Sequence, residues 1–519
     1  MFKMKTIQII LLIALACIPF QPLAAGTSIK QMNTTIIADL NQTIDKDIKS
    51  IVDTDRLEIE LGPYYNVIWS PDEKHALVYV FLNVCPKGKG DTQSGYISAL
   101  YITDAGFSNI SRVAWAEFTT TDYGKLINAP SWSQSGDHFA YMELTQGKMY
   151  SITSARLLVL STDLQQVQEI EMNKDMDQNS EDQFIYKWSP KEEKVAVPAP
   201  GKLIVYDPIQ KDNLTFYIDA TVSFINGLEW SPDGNKLTFL ESPKGIINID
   251  VNKKEQHQVY SSETAGLYNT EWSPDSKKLV FYDQNGTDKN GEAFFDIYIM
   301  DENTNTTERI NLKKSSYWAI NWYPDSERLL VVNYSNGSSK LCSISTTGDV
   351  KVLFNGADII KGNLGPDDYT SVLDPYTSKL VVFNESYKQD FLNVTRGSWF
   401  NNDLMFTTDS KTSILNMSTN TIWEIPMSST TPDLISMSPQ EHFIAIDNMV
   451  LEMNYGNSQG TIAKDQKNDS ASQVTVLNSS NNQEQKVNTT AASQAPGFSA
   501  LLGLIGFVVA MAYVHIKKR

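Results

Sequence analysis

A phrase made of one aromatic residue and a tight turn is written six times along this chain. It reads Trp-Ser-Pro-Asp-Gly from Trp230, and variants start at Trp69, Trp132, Trp188, Trp272 and Trp322. Between Phe224 and Glu241 a short strand pattern ends at Trp230 and a second begins at Lys236. Ser231-Pro232-Asp233-Gly234 between them suits a type I turn, with Ser first, Pro pre-set second and Gly fourth. The phrase therefore reads as the tip of a β-hairpin. The stretches from Gly266 to Asp283 and from Tyr317 to Tyr334 follow the same grammar.

Each such hairpin is followed by another, in which apolar segments flank a polar turn. These begin at Ala99, Leu157, Leu203, Ile246, Ile297, Leu341 and Ser413. Two hairpins make four strands. The tryptophans are spaced by 63, 56, 42, 42 and 50 residues, and four-stranded units of about 40 to 50 residues are the period of a β-propeller. The fold expected is all-β. The tryptophans are expected to fill the wedges between blades, because a large aromatic at a fixed place suits face-to-face packing of repeated sheets.

Later repeats are degraded: Leu373 to Asn384, Trp399 to Asp409, and Met437 to Asp447. Only 26 residues separate Leu373 from Trp399, and one clear outer hairpin, Ser413 to Ile425, follows. Merging those two gives eight blades; seven is the alternative count. The last blade, from Met437, lacks an outer strand. The alternating segment Arg56 to Leu61 is expected to pair near Met449–Asn454 and close the ring, which removes two exposed sheet edges. Before it, residues 27–55 carry spaced Ile36, Ile37, Leu40, Ile44, Ile48 and Ile51, a helical pattern outside the blades. The ring is then 56–456.

The grammar of Trp272 to Asp301, a Trp-Ser-Pro-Asp turn, paired lysines, an apolar-apolar-Phe strand and an Ile-Tyr-Ile-Met-Asp strand, resembles the propeller repeats of TolB-like, WD40-like proteins. The resemblance implies the fold over most of Arg56 to Tyr455. It leaves function open, since propellers host binding proteins, scaffolds and enzymes alike.

The two ends suggest a location. Lys3 and Lys5 precede an apolar run from Ile9 to Phe20, and Ala24, Ala25 and Gly26 follow. That order is a secretory signal, residues 1–26. From Phe498 to Ile516 the chain is almost wholly apolar and then meets Lys517, Lys518 and Arg519, the pattern of one membrane span with a cytoplasmic basic end. In 457–495, Ser, Thr, Asn and Gln fill 22 of 39 positions without an aromatic, which reads as a stalk. Pro496, Gly497 and Phe498 ahead of the apolar segment (496–519) resemble the carboxy-terminal sorting tail of archaeal surface proteins. That resemblance implies cleavage near the motif and replacement of the span by a lipid. Asn-X-Ser/Thr acceptors, among them Asn213, Asn285, Asn336, Asn393, Asn478 and Asn488, agree with an outside location as possible glycosylation sites.

The chemistry legible in the sequence is sparse. Net charge is −18, so a phosphate backbone is repelled and no nucleic-acid partner is expected. Cys85 and Cys342 fall in different repeats and are expected as two thiols. Gly456 to Gly460 matches a nucleophile elbow, but no α/β domain surrounds it. Asp283 to Glu292 is rich in oxygen ligands, which leaves calcium as the alternative, yet it lacks EF-hand spacing and its turn formers need no metal. His75, His138, His257 and His442 lie in four repeats. No catalytic, cofactor-binding or metal-binding residue is assigned, and no cofactor is expected.

Three functions compete: a binding or scaffolding module of the cell envelope, a propeller lyase or hydrolase with its site in the axial channel, and a structural surface-layer component. The first is favoured, with an envelope protein or glycan as partner and a monomeric ring. Loops of variable length on a rigid frame are where binding resides, and the longest expected here is Asn83 to Ser98 with Lys87 and Lys89.

Overall fold

The computed structural model describes residues 27–455, apart from 89–94, 120–123, 147–151, 173–184, 219–223, 243–244, 263–266, 288–292, 314–315, 336–337, 357–361, 375, 426, 428 and 430–433. The signal segment, the stalk, the Gly456 to Gly460 match, the Pro496-Gly497-Phe498 tail, Asn336, Asn478 and Asn488 lie outside the described residues. Among the described residues no helix is long and apolar enough to cross a membrane.

The described strands form nine antiparallel four-stranded sheets, not eight, and one of them carries a fifth strand. The chain is a β-propeller. The first strands of successive blades touch one another at most seams, and the first strand of blade 1 touches that of blade 9, so first strands line the axis. The count differs from the expectation at the segments that were merged. Blade 7 occupies Gly362–Leu364, Thr370–Asp374, Lys379–Phe383 and Lys388–Phe391. Its first turn is Gly365 to Tyr369, and the segment from Leu373 is its second hairpin. Blade 8 begins separately at Val394–Phe400. Strands of only three to seven residues let two blades fit where one was expected.

Closure also differs from the expectation. Leu57–Trp69 is the innermost strand of blade 1, paired with His75–Pro86. The missing outer strand of blade 9 is Asn33–Asp39, with Asn33 opposite Asn454 and Asp39 opposite Met449. Just before it, Ser28–Gln31 runs parallel to Thr421–Ile425 as the fifth strand of blade 8. One extended amino-terminal segment thus ties two neighbouring blades, with Met32 buried at the joint among Trp423, Met437 and Ile444. The helical pattern holds only further on. Leu40–Thr43 and Asp45–Ile51 are helical, and Leu40, Ile44, Ile48 and Ile51 bury their shared face against Val67, Leu82 and Val450 across the blade 9–1 seam. Ile36, in the strand, is 58% exposed.

The repeated phrase has a physical role at the seams. The indole N–H of Trp132 donates to Ile68 O at 2.8 Å, that of Trp230 to Lys187 O at 3.0 Å, and that of Trp322 to Glu271 O at 3.0 Å. Each acceptor immediately precedes the tryptophan of the previous blade. Trp272 and Trp69 reach the hydroxyls of Thr238 and Ser436 instead. At the blade 7–8 seam Trp399 lies on the backbone of Gly365, where a Cβ would sit 2.5 Å from the ring.

Within the turn, the Ser hydroxyl accepts the N–H five residues on, as Ser231 does from Lys236 at 2.9 Å, and donates to Asp233. The fourth position is left-handed, φ 75° at Gly234 and 61° at Ser276, which explains the preference for Gly.

Replacing Trp132, Trp230 or Trp322 by Phe should cost about 0.5–1.5 kcal/mol for the lost hydrogen bond, on top of the lost ring area. Trp188, whose buried indole N–H has no hydrogen-bond partner among the described residues, should lose only the ring area. Urea midpoints for the four variants check this; an equal loss at Trp188 would show that the hydrogen bond contributes nothing.

Candidate functional site

Each sheet's first-to-second and third-to-outer turns share one side of the ring, called here the turn face; the remaining connections form the far face. Outer strands run from the turn face to the far face. Ser28–Gln31 is parallel to such a strand and Asn33–Asp39 is antiparallel to Met449–Asn454, so the chain enters at Thr27 and leaves at Tyr455 on the same turn face.

The turn face carries a repeated set of clasps. The fourth residue of one turn accepts the N–H of the third residue in the preceding blade's turn: Ser276 from Asp233 at 2.9 Å, and Ser326 from Asp275 at 3.1 Å. Glu73 accepts likewise from Gln440. The basic residue opening the second strand reaches an acid of the next blade. Lys278 meets Glu327 at 2.6 Å, Arg328 meets Asp368 at 2.7 Å, and Lys236 meets Glu302 at 2.5 Å. At two seams a histidine makes the contact: His138, in that place, has Nδ1 3.0 Å from Glu193, and His442, one residue before the second strand Phe443–Ile446, has Nδ1 2.8 Å from Glu73. The histidines are therefore not gathered at the axis. His75 Nδ1 is buried with no hydrogen-bond partner among the described residues, and His257 sits on the outer strand of blade 4.

Burial pushes the Glu193 carboxyl up, but hydrogen bonds from His138 and Ser135 outweigh it and hold the group at about 2. The folded state then binds fewer protons than the unfolded chain. Its contribution is present above about 4.5 and is lost as pH falls towards 2. Glu193→Gln should cost about 1 kcal/mol at pH 7, with the gap to the parent closing below pH 3. A gap that persists in acid would separate the shift from stability.

The seam between blades 8 and 9 holds the opposite arrangement, two carboxyls side by side. Asp403 is 3% exposed and accepts from Asn416 Nδ2 at 3.0 and 3.1 Å. Glu441, left-handed at φ 62°, accepts from Asn401 at 3.2 Å. Burial first, and then the Asp403 charge, push Glu441 up to about 7; burial also raises Asp403. Like charges this close share one proton. The pair lies beside Tyr455, whose ring meets Trp423 edge-on at 5.6 Å, and so marks the point where the chain leaves the ring.

On the far face, blade 2 carries a polar cleft of about 320 Å3. It is made by strand register. Lys125, Thr145 and Ser154 form one cross-strand row, and Glu143, Arg156 and Glu171 the next. Lower on the same face, Ile127, Tyr141 and Leu158 pack on blade 1. Lys125 Nζ is 2.8 Å and Arg156 Nε 2.9 Å from Glu143, and Arg156 also holds Glu169. Burial opposes ionisation of Glu143, but these bonds keep its carboxyl below the usual range. This site was not assigned from sequence, although charges at alternate positions near one end of neighbouring strands were a readable signal.

Cys85 and Cys342 are buried free thiols in blades 1 and 6. Asn213, Asn285 and Asn393 are exposed. Asp283 accepts from Tyr260 and Ser262. Among the described residues no group of three His, Cys, Asp or Glu is placed to hold a metal ion. Asn83 to Pro86 and Gly95 to Ser98 belong to strands, so the expected long loop is shorter, and its centre, 89–94, lies outside the described residues.

No family model and no curated protein matches the chain. Among solved structures it is similar to a dipeptidyl peptidase 4 from Porphyromonas gingivalis, at 12% identity and TM-score 0.47, covering 75% of this chain and 62% of that one. It is also similar to the tricorn protease, at 10% and 0.39, covering 68% and 47%. TolB from Acinetobacter baumannii matches at 15% and 0.30, covering 63% and 79%. The chain thus spans about half to three fifths of the length of the two peptidases.

Proposed function

We propose that the protein is an exported, surface-anchored binding module of the cell envelope, tethered through its carboxy-terminal tail and presenting the far face outward. The observation that carries this reading is that both ends of the ring, Thr27 and Tyr455, leave on the turn face. A tether after Tyr455 would set that face towards the membrane. The clasps on the turn face are engaged in holding blades together, whereas the far face carries the open polar cleft of blade 2. The stalk would supply reach, and the Pro-Gly-Phe tail a lipid or helical anchor. An envelope protein or glycan is the partner class, and a single ring suffices to bind it.

The enzyme reading draws on one observation, the raised Glu441 beside Asp403, since perturbed carboxyls mark acid–base sites. Both side chains are occupied by asparagine amides at a blade seam, which favours a structural role.

Purified full chain added to envelopes of a strain lacking the gene should bind saturably, and mass spectrometry of the native protein should show loss of the first segment. Absence of saturable binding, or recovery of an unprocessed cytosolic chain, would refute the proposal.

A further inference from the structure

We propose that the cleft on the far face of blade 2 is a saccharide subsite for chains that carry no negative charge, a reading that rests on the ring acting as a binding module. Every residue lining it is polar: Lys125, Thr145 and Ser154 in one row, Glu143, Arg156 and Glu171 in the next, with Glu169 beyond. A hydrophobic ligand would gain nothing there, because burying these groups without partners is costly. A polyhydroxylated ligand can replace their water with hydrogen bonds. Its volume, about 320 Å3, lies at the small end of ligand pockets and fits a mono- or disaccharide.

The chemistry of the floor is selective. Glu143 holds Lys125 and Arg156 in place, and Glu169 holds the far side of the guanidinium. The donors and acceptors are thus fixed before a ligand arrives, which lowers the ordering cost of binding. A guanidinium has five N–H donors and an ammonium three, so both cations keep donors for sugar hydroxyls. The Thr145 and Ser154 hydroxyls donate and accept. Glu171 forms no ion pair among the described residues and is exposed. Two cations stand against three carboxylates, so a uronate is repelled and an amino sugar is favoured. With no aromatic among the described lining residues, affinity should be weak, on the order of a millimolar Kd.

Saturation-transfer NMR on the purified full chain tests this with three probes: chitobiose, the disaccharide of glucosamine, and digalacturonate. The first two should receive saturation and the third should not. Arg156→Ala should abolish the signal. Glu171→Gln, which breaks no ion pair and so spares the fold, should weaken the glucosamine disaccharide about three- to tenfold by loss of one facing charge and leave chitobiose unchanged. Transfer to digalacturonate equal to the others, binding that survives Arg156→Ala, or transfer to none of the three would overturn the proposal. Saturable envelope binding by the same preparation separates the outcomes: if it persists without saccharide binding, the subsite is wrong and the binding-module reading stands; if it too is absent, the module reading fails.

Discussion

Glu441→Gln should make the ring more stable than the parent in alkaline solution, by about 1–2 kcal/mol at pH 8.5, with little difference at pH 5. The carboxyl is raised from 4.5 to about 7, by burial and by Asp403. A raised acid binds more protons folded than unfolded. Stability from this group is therefore fully present below about 4.5 and is lost as pH rises through 7. Above that, two carboxylates face each other across the blade 8–9 seam, and Glu73 adds to the repulsion on Glu441. An amide at 441 keeps a donor for Asp403 and removes the charge. The sign is opposite to that at Glu193, so the two variants give crossed pH profiles. Urea midpoints at the two pH values decide the matter. A parent that is no less stable at pH 8.5 than at pH 5 relative to the variant would show that the pair is ionised without penalty.

The second large effect concerns the amino-terminal segment. Met32→Ala should cost about 2–4 kcal/mol, the range for emptying a buried large side chain. Met32 is 5% exposed and packs where the outer strands of blades 8 and 9 meet, and its own N–H donates to Glu424 O at 2.8 Å. The cavity would open where the amino-terminal segment passes from blade 8 to blade 9. Ile36→Ala four residues later, at a 58% exposed position, should stay within about 0.5 kcal/mol. Comparable losses at both positions would indicate a role for the whole strand that burial does not explain.

The repeat was legible because a propeller states its packing rule once per blade. Trp and the Ser-Pro-Asp turn could be read from spacing alone, and so could the four-stranded unit. Blade number was not, because blade 7 has no tryptophan: Leu364 ends its first strand where blades 1 to 6 carry one, Gly365 follows as the first turn residue, and the ring above that glycine belongs to Trp399 of the next blade. The closing strand was misread for a related reason. Arg56 to Leu61 alternates, whereas Asn33 to Asp39 sets Ile36, Ile37 and Ala38 side by side after three polar residues, so the true outer strand carries no period-two signal. The basic residue ending each turn phrase, Lys236, Lys278, Arg328, His138 and His442, was visible in the sequence. Its acidic partner was not, since it lies a whole blade away. The Asp403–Glu441 pair joins residues 38 apart in two degraded repeats, and only the seam brings them together.

The account turns on Asn33–Asp39 completing the last of nine blades, because that pairing sets both chain ends on one face and leaves the other free. Thr35 lies opposite Glu452, and directly opposed strand residues stand about 4.5–5.5 Å apart, within disulfide range. In the doubly substituted chain Thr35→Cys, Glu452→Cys, mild oxidation should link the two positions, as read by mass spectrometry of the joined peptides, while Glu60→Cys with Glu452→Cys should give no peptide joining 60 to 452. A link in the second pair and none in the first would contradict the closure and, with it, the assignment of the presenting face.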